Sequence, residues 1–69
     1  MTPEEYEQRY EEALAELRLR GCTVGGPYRT HDRVRALSVD GFPCIDRLVL
    51  EKAWGAQIAA DILREASPR

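Results

Sequence analysis

Residues 46–66 carry two apolar clusters that one straight helix cannot bury against a single surface. At about 100° per residue, Val49, Leu50, Ala53 and Trp54 fall on one side. Leu48, Ile58, Ala59, Ile62, Leu63 and Ala66 fall nearly opposite. Two arrangements resolve the conflict. The helix can break at Gly55, where glycine costs about 1 kcal/mol relative to alanine, so that each half turns its stripe to the same core. Alternatively it stays continuous, with one stripe on its own chain and the other on a second chain. A chain of 69 residues buries only about 60% of the surface its unfolded form exposes. Such domains usually recruit a disulfide, a metal or a partner subunit. That pressure favours the continuous helix with a partner over the broken one.

The first helix is written more plainly. Thr2-Pro3-Glu4-Glu5 is a capping box with proline at the first helical position. Tyr6, Tyr10, Ala13, Leu14 and Leu17 then form one apolar stripe. The glutamates on the remaining face mark it as solvated, and Gly21 stops the helix. Cys22 to Pro27 reads as loop, because Gly25-Gly26-Pro27 interrupts any regular element. The Gly-Gly pair lacks the Lys and Ser/Thr that would complete a phosphate loop.

From Tyr28 to Val39 the chain reads as extended, with β-branched Thr30, Val34 and Val39 and an alternating Arg33-Val34-Arg35-Ala36. The alternation slips at Ala36-Leu37, as a bulge or two-sided burial would require. Asp40-Gly41 is a type I′ hairpin signal. Phe42 begins a return strand, which Pro43 keeps short or at an edge. Asp46 is placed to cap the second helix, with Ile45 as its staple, and the helical pattern runs to Ala66 before Pro68.

The expected fold is therefore a single α+β domain over residues 1–69. It comprises an N-terminal amphipathic helix, a two-stranded antiparallel hairpin and a C-terminal helix, continuous or interrupted near Gly55. The expected core is Tyr10, Leu14, Leu17, Val34, Leu37, Val39, Ile45, Leu48, Ile58, Ile62 and Leu63.

Charge is unevenly laid out. Residues 1–16 carry six glutamates against Arg9, and residues 18–35 carry five arginines against Asp32. If residues 28–35 form one strand, Arg29, His31, Arg33 and Arg35 share a face, the arrangement an anion or nucleic acid would require. The same charges also keep an exposed strand soluble. The net charge of −2 weighs against a general nucleic-acid role. Nine of the ten basic residues are arginine, a bias that fits a GC-rich bacterial coding sequence.

Catalysis is not expected. His31 and Asp32 are neighbours in an extended chain and would point to opposite faces. The chain is also too short to enclose a pocket of about 300 Å³ or more. Cys22, His31 and Cys44 lack the spacing of a metal site, so neither a metal nor another cofactor is expected. Cys22 and Cys44 are expected as reduced, small apolar residues. The longest apolar run, Leu48 to Leu50, is far short of the roughly 20 residues that span a bilayer. The N-terminus has no secretory pattern, so a cytoplasmic setting is expected.

What remains is protein–protein interaction. The leading reading is a non-catalytic assembly module, a homodimer or a partner of another protein, with Leu50 and Trp54 at the contact. The alternative is a nucleic-acid-binding or regulatory domain using Arg29, His31, Arg33 and Arg35.

Overall fold

The computed structural model describes residues 1–66, so the expectation attached to Pro68 lies outside the described residues. Helix α1 spans Pro3–Leu19. Strands β1 (Val24–Arg29), β2 (Arg35–Val39) and β3 (Phe42–Ile45) form an antiparallel sheet in the order β1-β2-β3. Helices α2 (Asp46–Trp54) and α3 (Ala56–Ala66) follow. The α+β class is as expected. The sheet has three strands rather than two, and the C-terminal segment is two helices rather than one.

The capping box forms as written. Thr2 Oγ1 accepts from the Glu5 N–H at 3.1 Å, and Glu5 Oε1 accepts from the Thr2 N–H at 2.8 Å. At its other end α1 is tied to α2. The Arg20 guanidinium donates to the Lys52 carbonyl at 2.8 Å and to the Ala53 carbonyl, filling two of the acceptors that a helix C-terminus leaves open.

The third strand comes from the segment read as loop. Val24 pairs with Val39, Gly25 with Ser38, Tyr28 with Ala36 and Arg29 with Arg35. Between these pairs Gly26 and Pro27 stand opposite Leu37 alone, a two-against-one bulge that lets glycine and proline sit inside a ladder. The extended stretch 28–39 is consequently folded back on itself. Residues 31–33 form a three-residue hairpin loop. In it the Arg33 N–H donates to the Thr30 carbonyl, the Thr30 N–H donates to the Val34 carbonyl, and Arg33 takes a left-handed φ of 62°. Glycine usually marks that left-handed position. Arginine there hides the turn, which is why the sequence reads as one long strand.

The Asp40-Gly41 turn joins β2 to β3 as expected, with φ of 52° and 87°. Asp40 also locks β1 to this turn, accepting from the Thr23 N–H through Oδ1 at 2.9 Å and donating its own N–H to the Thr23 carbonyl at 2.8 Å.

Gly55, at φ 97°, ends α2 and separates it from α3. The break settles the two-stripe conflict inside one chain. α2 buries Val49, Leu50 and Ala53, and α3 buries Ala59 and Ile62. These join Tyr10, Ala13, Leu14 and Leu17 of α1 and Leu37, Val39 and Cys44 of the sheet in a single core. Of the expected core, Tyr10, Leu14, Leu17, Leu37, Val39 and Ile62 are buried and Leu63 packs at the margin. Val34, Ile45, Leu48 and Ile58 remain substantially exposed. Leu48 and Ile58 lose their places because the bend at Gly55 turns each half-helix onto a different set of side chains.

α1 packs against β1, and α2 packs against β2 and β3. α3 rests on α1 and α2 and touches no strand among the described residues. Both helices that meet the sheet lie on the side of Val24, Leu37, Val39 and Cys44. Among the described residues, no helix packs against the opposite side of the sheet.

Candidate functional site

The residues expected at a contact separate in the fold. Leu50 is 0% exposed and sits at the centre of the chain's own core, so it presents no surface to a partner. Trp54, at the end of α2, is half-buried against that core and lines a cavity of about 370 Å³ with Arg9, Ile58 and Ile62.

The four basic residues separate as well. Arg29 ends β1, His31 and Arg33 lie in the hairpin loop, and all three are exposed. The Arg29 guanidinium donates to the Arg33 carbonyl at 3.1 Å. Arg35, paired with Arg29 across the ladder, is instead engaged by carboxylates. Its Nε and Nη2 donate to Asp46 Oδ1 and Oδ2 at 3.1 and 2.7 Å, and its Nη1 donates to Glu7 Oε1 at 2.8 Å. The guanidinium carbon lies 3.9 Å from the Tyr10 ring centroid. Tyr6 completes the cluster, its hydroxyl donating to Asp46 Oδ2 at 2.7 Å. The four residues therefore do not form one basic strand face.

This cluster ties α1, β2 and the start of α2 together. Hydrogen bonds to Asp46 and then to Glu7 hold the Arg35 guanidinium above its ordinary pKa, so it stays a cation throughout the folded range. Burial raises the Tyr6 hydroxyl, assisted by the bond to Asp46. Burial also pushes Tyr10 up to about 12. The Tyr10 hydroxyl is buried without a hydrogen-bond partner among the described residues. Asp46 is not the N-cap that the sequence suggests. It occupies the first turn of α2, with Ile45 as the cap residue making no side-chain bond. Its carboxylate is spent on Arg35 and Tyr6, an arrangement that binds charge internally and leaves little for a ligand.

The cysteines are free, Cys44 buried in the core and Cys22 at its margin. No group of three His, Cys, Asp or Glu among the described residues is placed to hold a metal ion. No helix of the described residues is long and apolar enough to cross a membrane.

The uncovered side of the sheet is the surface that the sequence did not single out. Register places Tyr28, Ala36 and Ile45 in one row across all three strands, and Gly25, Ser38 and Pro43 in the next. None of the six is charged, although 32% of the chain is. Ala36 is 1% exposed yet stands outside the helix-packed core. Tyr28 and Ile45 are 42% and 41% exposed. The signal lay in the absence of charge at alternating positions. It became legible only once β1 was known to be a strand and the bulge at Gly26-Pro27 had set its register.

Both edges of this sheet are blunted. β1 carries the bulge and Pro27. In β3, the pair flanking the two-residue turn, Val39 and Phe42, exchanges the ladder hydrogen bonds, so alternation turns the Pro43 nitrogen outward, where it has no N–H to offer. Strand addition at either edge is thus disfavoured, and the open face is what the sheet presents.

Comparison with protein-family models, with curated proteins and with solved structures found no match.

Proposed function

We propose that this chain is a non-catalytic interaction module that assembles as a homodimer through the uncovered face of its sheet. The observation that carries the reading is the pair of uncharged rows, Tyr28-Ala36-Ile45 and Gly25-Ser38-Pro43, lying opposite the helices. A two-fold axis through such a face brings like surface against like surface and buries no charge. The two sheets would pack about 10 Å apart with strands crossing near −30°. Tyr28 is the natural anchor, since tyrosine is enriched where binding energy concentrates. Leu50 takes no part, being enclosed by its own chain.

Size sets the strength. Three strands about 4.8 Å apart and five residues of about 3.4 Å each give a footprint near 14 × 17 Å. That falls well below the roughly 800 Å² per partner of a standard interface. The dimer is accordingly weak, with a dissociation constant in the micromolar range or above. Sedimentation velocity from about 1 to 200 µM should show a concentration-dependent shift from monomer to dimer. Ile45→Lys and Tyr28→Asp should each return the chain to monomer with the melting temperature little changed. A wild-type chain that stays monomeric at the top of that range, or a dimer that ignores both substitutions, overturns the reading.

A second reading rests on a different observation. Arg29, His31 and Arg33 stand exposed around one short loop, and none of them enters an ion pair among the described residues. They would contact a polyanion such as nucleic acid, with Arg35 excluded by its bonds to Asp46 and Glu7. Mixed DNA and RNA should then be retained in a gel at about 50 mM salt and released steeply as salt rises. No retention at that salt removes this reading.

A further inference from the structure

The uncovered sheet face is uneven, and its relief bears on how two copies can fit together. In one row Tyr28 and Ile45, 42% and 41% exposed, flank Ala36. The next row, two residues further along β2, holds Gly25, Ser38 and Pro43. The two rows lie about 6.8 Å apart. A row with two large side chains thus runs beside a row of small ones across all three strands. Facing sheets interdigitate their side chains, so a large side chain needs a small one opposite it.

A two-fold axis lying between two such sheets can run along the strands or across them. An axis along β2 sets each row on its own copy. Tyr28 then meets the partner's Ile45, Gly25 meets the partner's Pro43 and Ser38 meets the partner's Ser38. Large opposes large in one row, and a gap opens in the next. An axis across the strands, between the two rows at the level of Leu37, sets each row on the other. Tyr28 then lies over the partner's Gly25, Ile45 over the partner's Pro43 and Ala36 over the partner's Ser38. Of the two arrangements, the second fills the face.

Charge selects the same arrangement. One end of the face carries Arg29, His31 and Arg33 against Asp32. The other end is the Asp40-Gly41 turn, where Asp40 is exposed and enters no ion pair among the described residues. An axis along the strands would gather both arginine-bearing loops at one end. An axis across them brings each loop toward the partner's Asp40.

We propose that two copies pack with antiparallel strands about an axis crossing β2 at the level of Leu37, each Tyr28 seated over the partner's Gly25. This geometry rests on the homodimer reading of the sheet face and adds to it the residue that sets the fit. Gly25 is not held in a left-handed backbone, and a Cβ added there would meet only Ser38 Cβ at 3.8 Å, an ordinary contact. The chain itself therefore accepts a side chain at position 25, and the partner's Tyr28 is what opposes one.

Sedimentation velocity between about 1 and 200 µM reads the fit. Gly25→Ile should leave the melting temperature unchanged or higher, as a strand gains a β-branched residue, and weaken the dimer at least about tenfold. With the axis along the strands the same substitution would fill a gap and strengthen it. Gly25→Tyr and Tyr28→Ala should each weaken the dimer, whereas the two together again set large over small and should restore it to within about threefold of wild type. Raising salt from about 50 to 300 mM should weaken the wild-type dimer, because opposite charges meet at its ends. A dimer that Ile45→Lys disrupts but Gly25→Ile strengthens or leaves unmoved overturns this packing while the sheet-face reading stands. Failure of the double substitution to restore association, or a dimer strengthened by salt, overturns it likewise. A wild-type chain that stays monomeric removes both.

Discussion

Arg35 and Asp46 meet in a two-pronged ion pair, with Nε to Oδ1 at 3.1 Å and Nη2 to Oδ2 at 2.7 Å, bringing the first residue of β2 against the first residue of α2. Both side chains are about three-quarters buried. A planar fork matched to a carboxylate in partial burial exceeds an ordinary surface pair in strength. Removing one partner strands the other. Asp46→Ala should therefore lower stability by about 2–3 kcal/mol, and Arg35→Lys by about 1–2 kcal/mol because an ammonium cannot reproduce the fork. Urea denaturation measures both. A loss below about 0.5 kcal/mol for Asp46→Ala would reduce the pair to surface chemistry.

The two tyrosines beside this pair should respond oppositely to loss of the hydroxyl. Tyr6 donates to Asp46 at 2.7 Å, a bond to a charged acceptor, so Tyr6→Phe should cost about 1.5–3 kcal/mol. The Tyr10 hydroxyl is buried without a partner, so Tyr10→Phe should be neutral or stabilise by up to about 1 kcal/mol. Equal losses in the two variants, compared in the same denaturant titration, would contradict the hydrogen-bond assignment.

Alkaline pH should unfold the chain through the same residues. Tyrosine in an unfolded chain ionises near pH 10. In the fold, burial first and the Asp46 charge second push Tyr10 up to about 12. Tyr6 is raised as well, by burial and its bond to Asp46. Below about pH 10 both states keep these protons, and the stability they confer is fully present. Above it the unfolded chain releases them first, so stability falls by up to about 1.4 kcal/mol per pH unit for each tyrosine. Melting temperatures between about pH 9 and 11.5 should decline, and Tyr10→Phe should flatten the decline. A flat profile would contradict the burial of these hydroxyls.

Arg33 holds a left-handed backbone that glycine adopts freely. Arg33→Gly relieves that conformation but loosens the unfolded chain, and the net expectation is a gain of about 0.5 kcal/mol. The thermal shift of this variant reads the turn. A loss of more than about 1 kcal/mol would mean that the Arg33 side chain is itself held in the fold.

The local chemistry of the chain was legible in advance wherever a few neighbouring residues suffice. The capping box at Thr2-Glu5, the α1 stripe through Tyr10, Leu14 and Leu17, and the Asp40-Gly41 turn each depend on contacts within one helical turn or one hairpin, and each forms as its residues dictate. The strand at Val24–Arg29 was illegible. Glycine and proline argue against a strand unless a partner supplies a bulge, and Arg33 replaces the glycine that would have marked the turn. The candidate surfaces were legible only in part. Trp54 could be singled out as a lone tryptophan, whereas the Tyr28-Ala36-Ile45 row exists only through the register of three strands.

Helix, cap and turn were determined by the sequence itself, because their energies are set by residues near one another along the chain. Tertiary structure alone decided which apolar stripe faced inward. The bend at Gly55 let one chain bury Leu50 and Ile62 together, while Leu48 and Ile58 of the same periodic pattern stay exposed. It also decided the fate of Arg35, whose charge reads as available in the sequence and is cancelled in the fold by carboxylates 11 and 28 positions away. No local rule encodes a partner at such separations, since only packing brings it within reach.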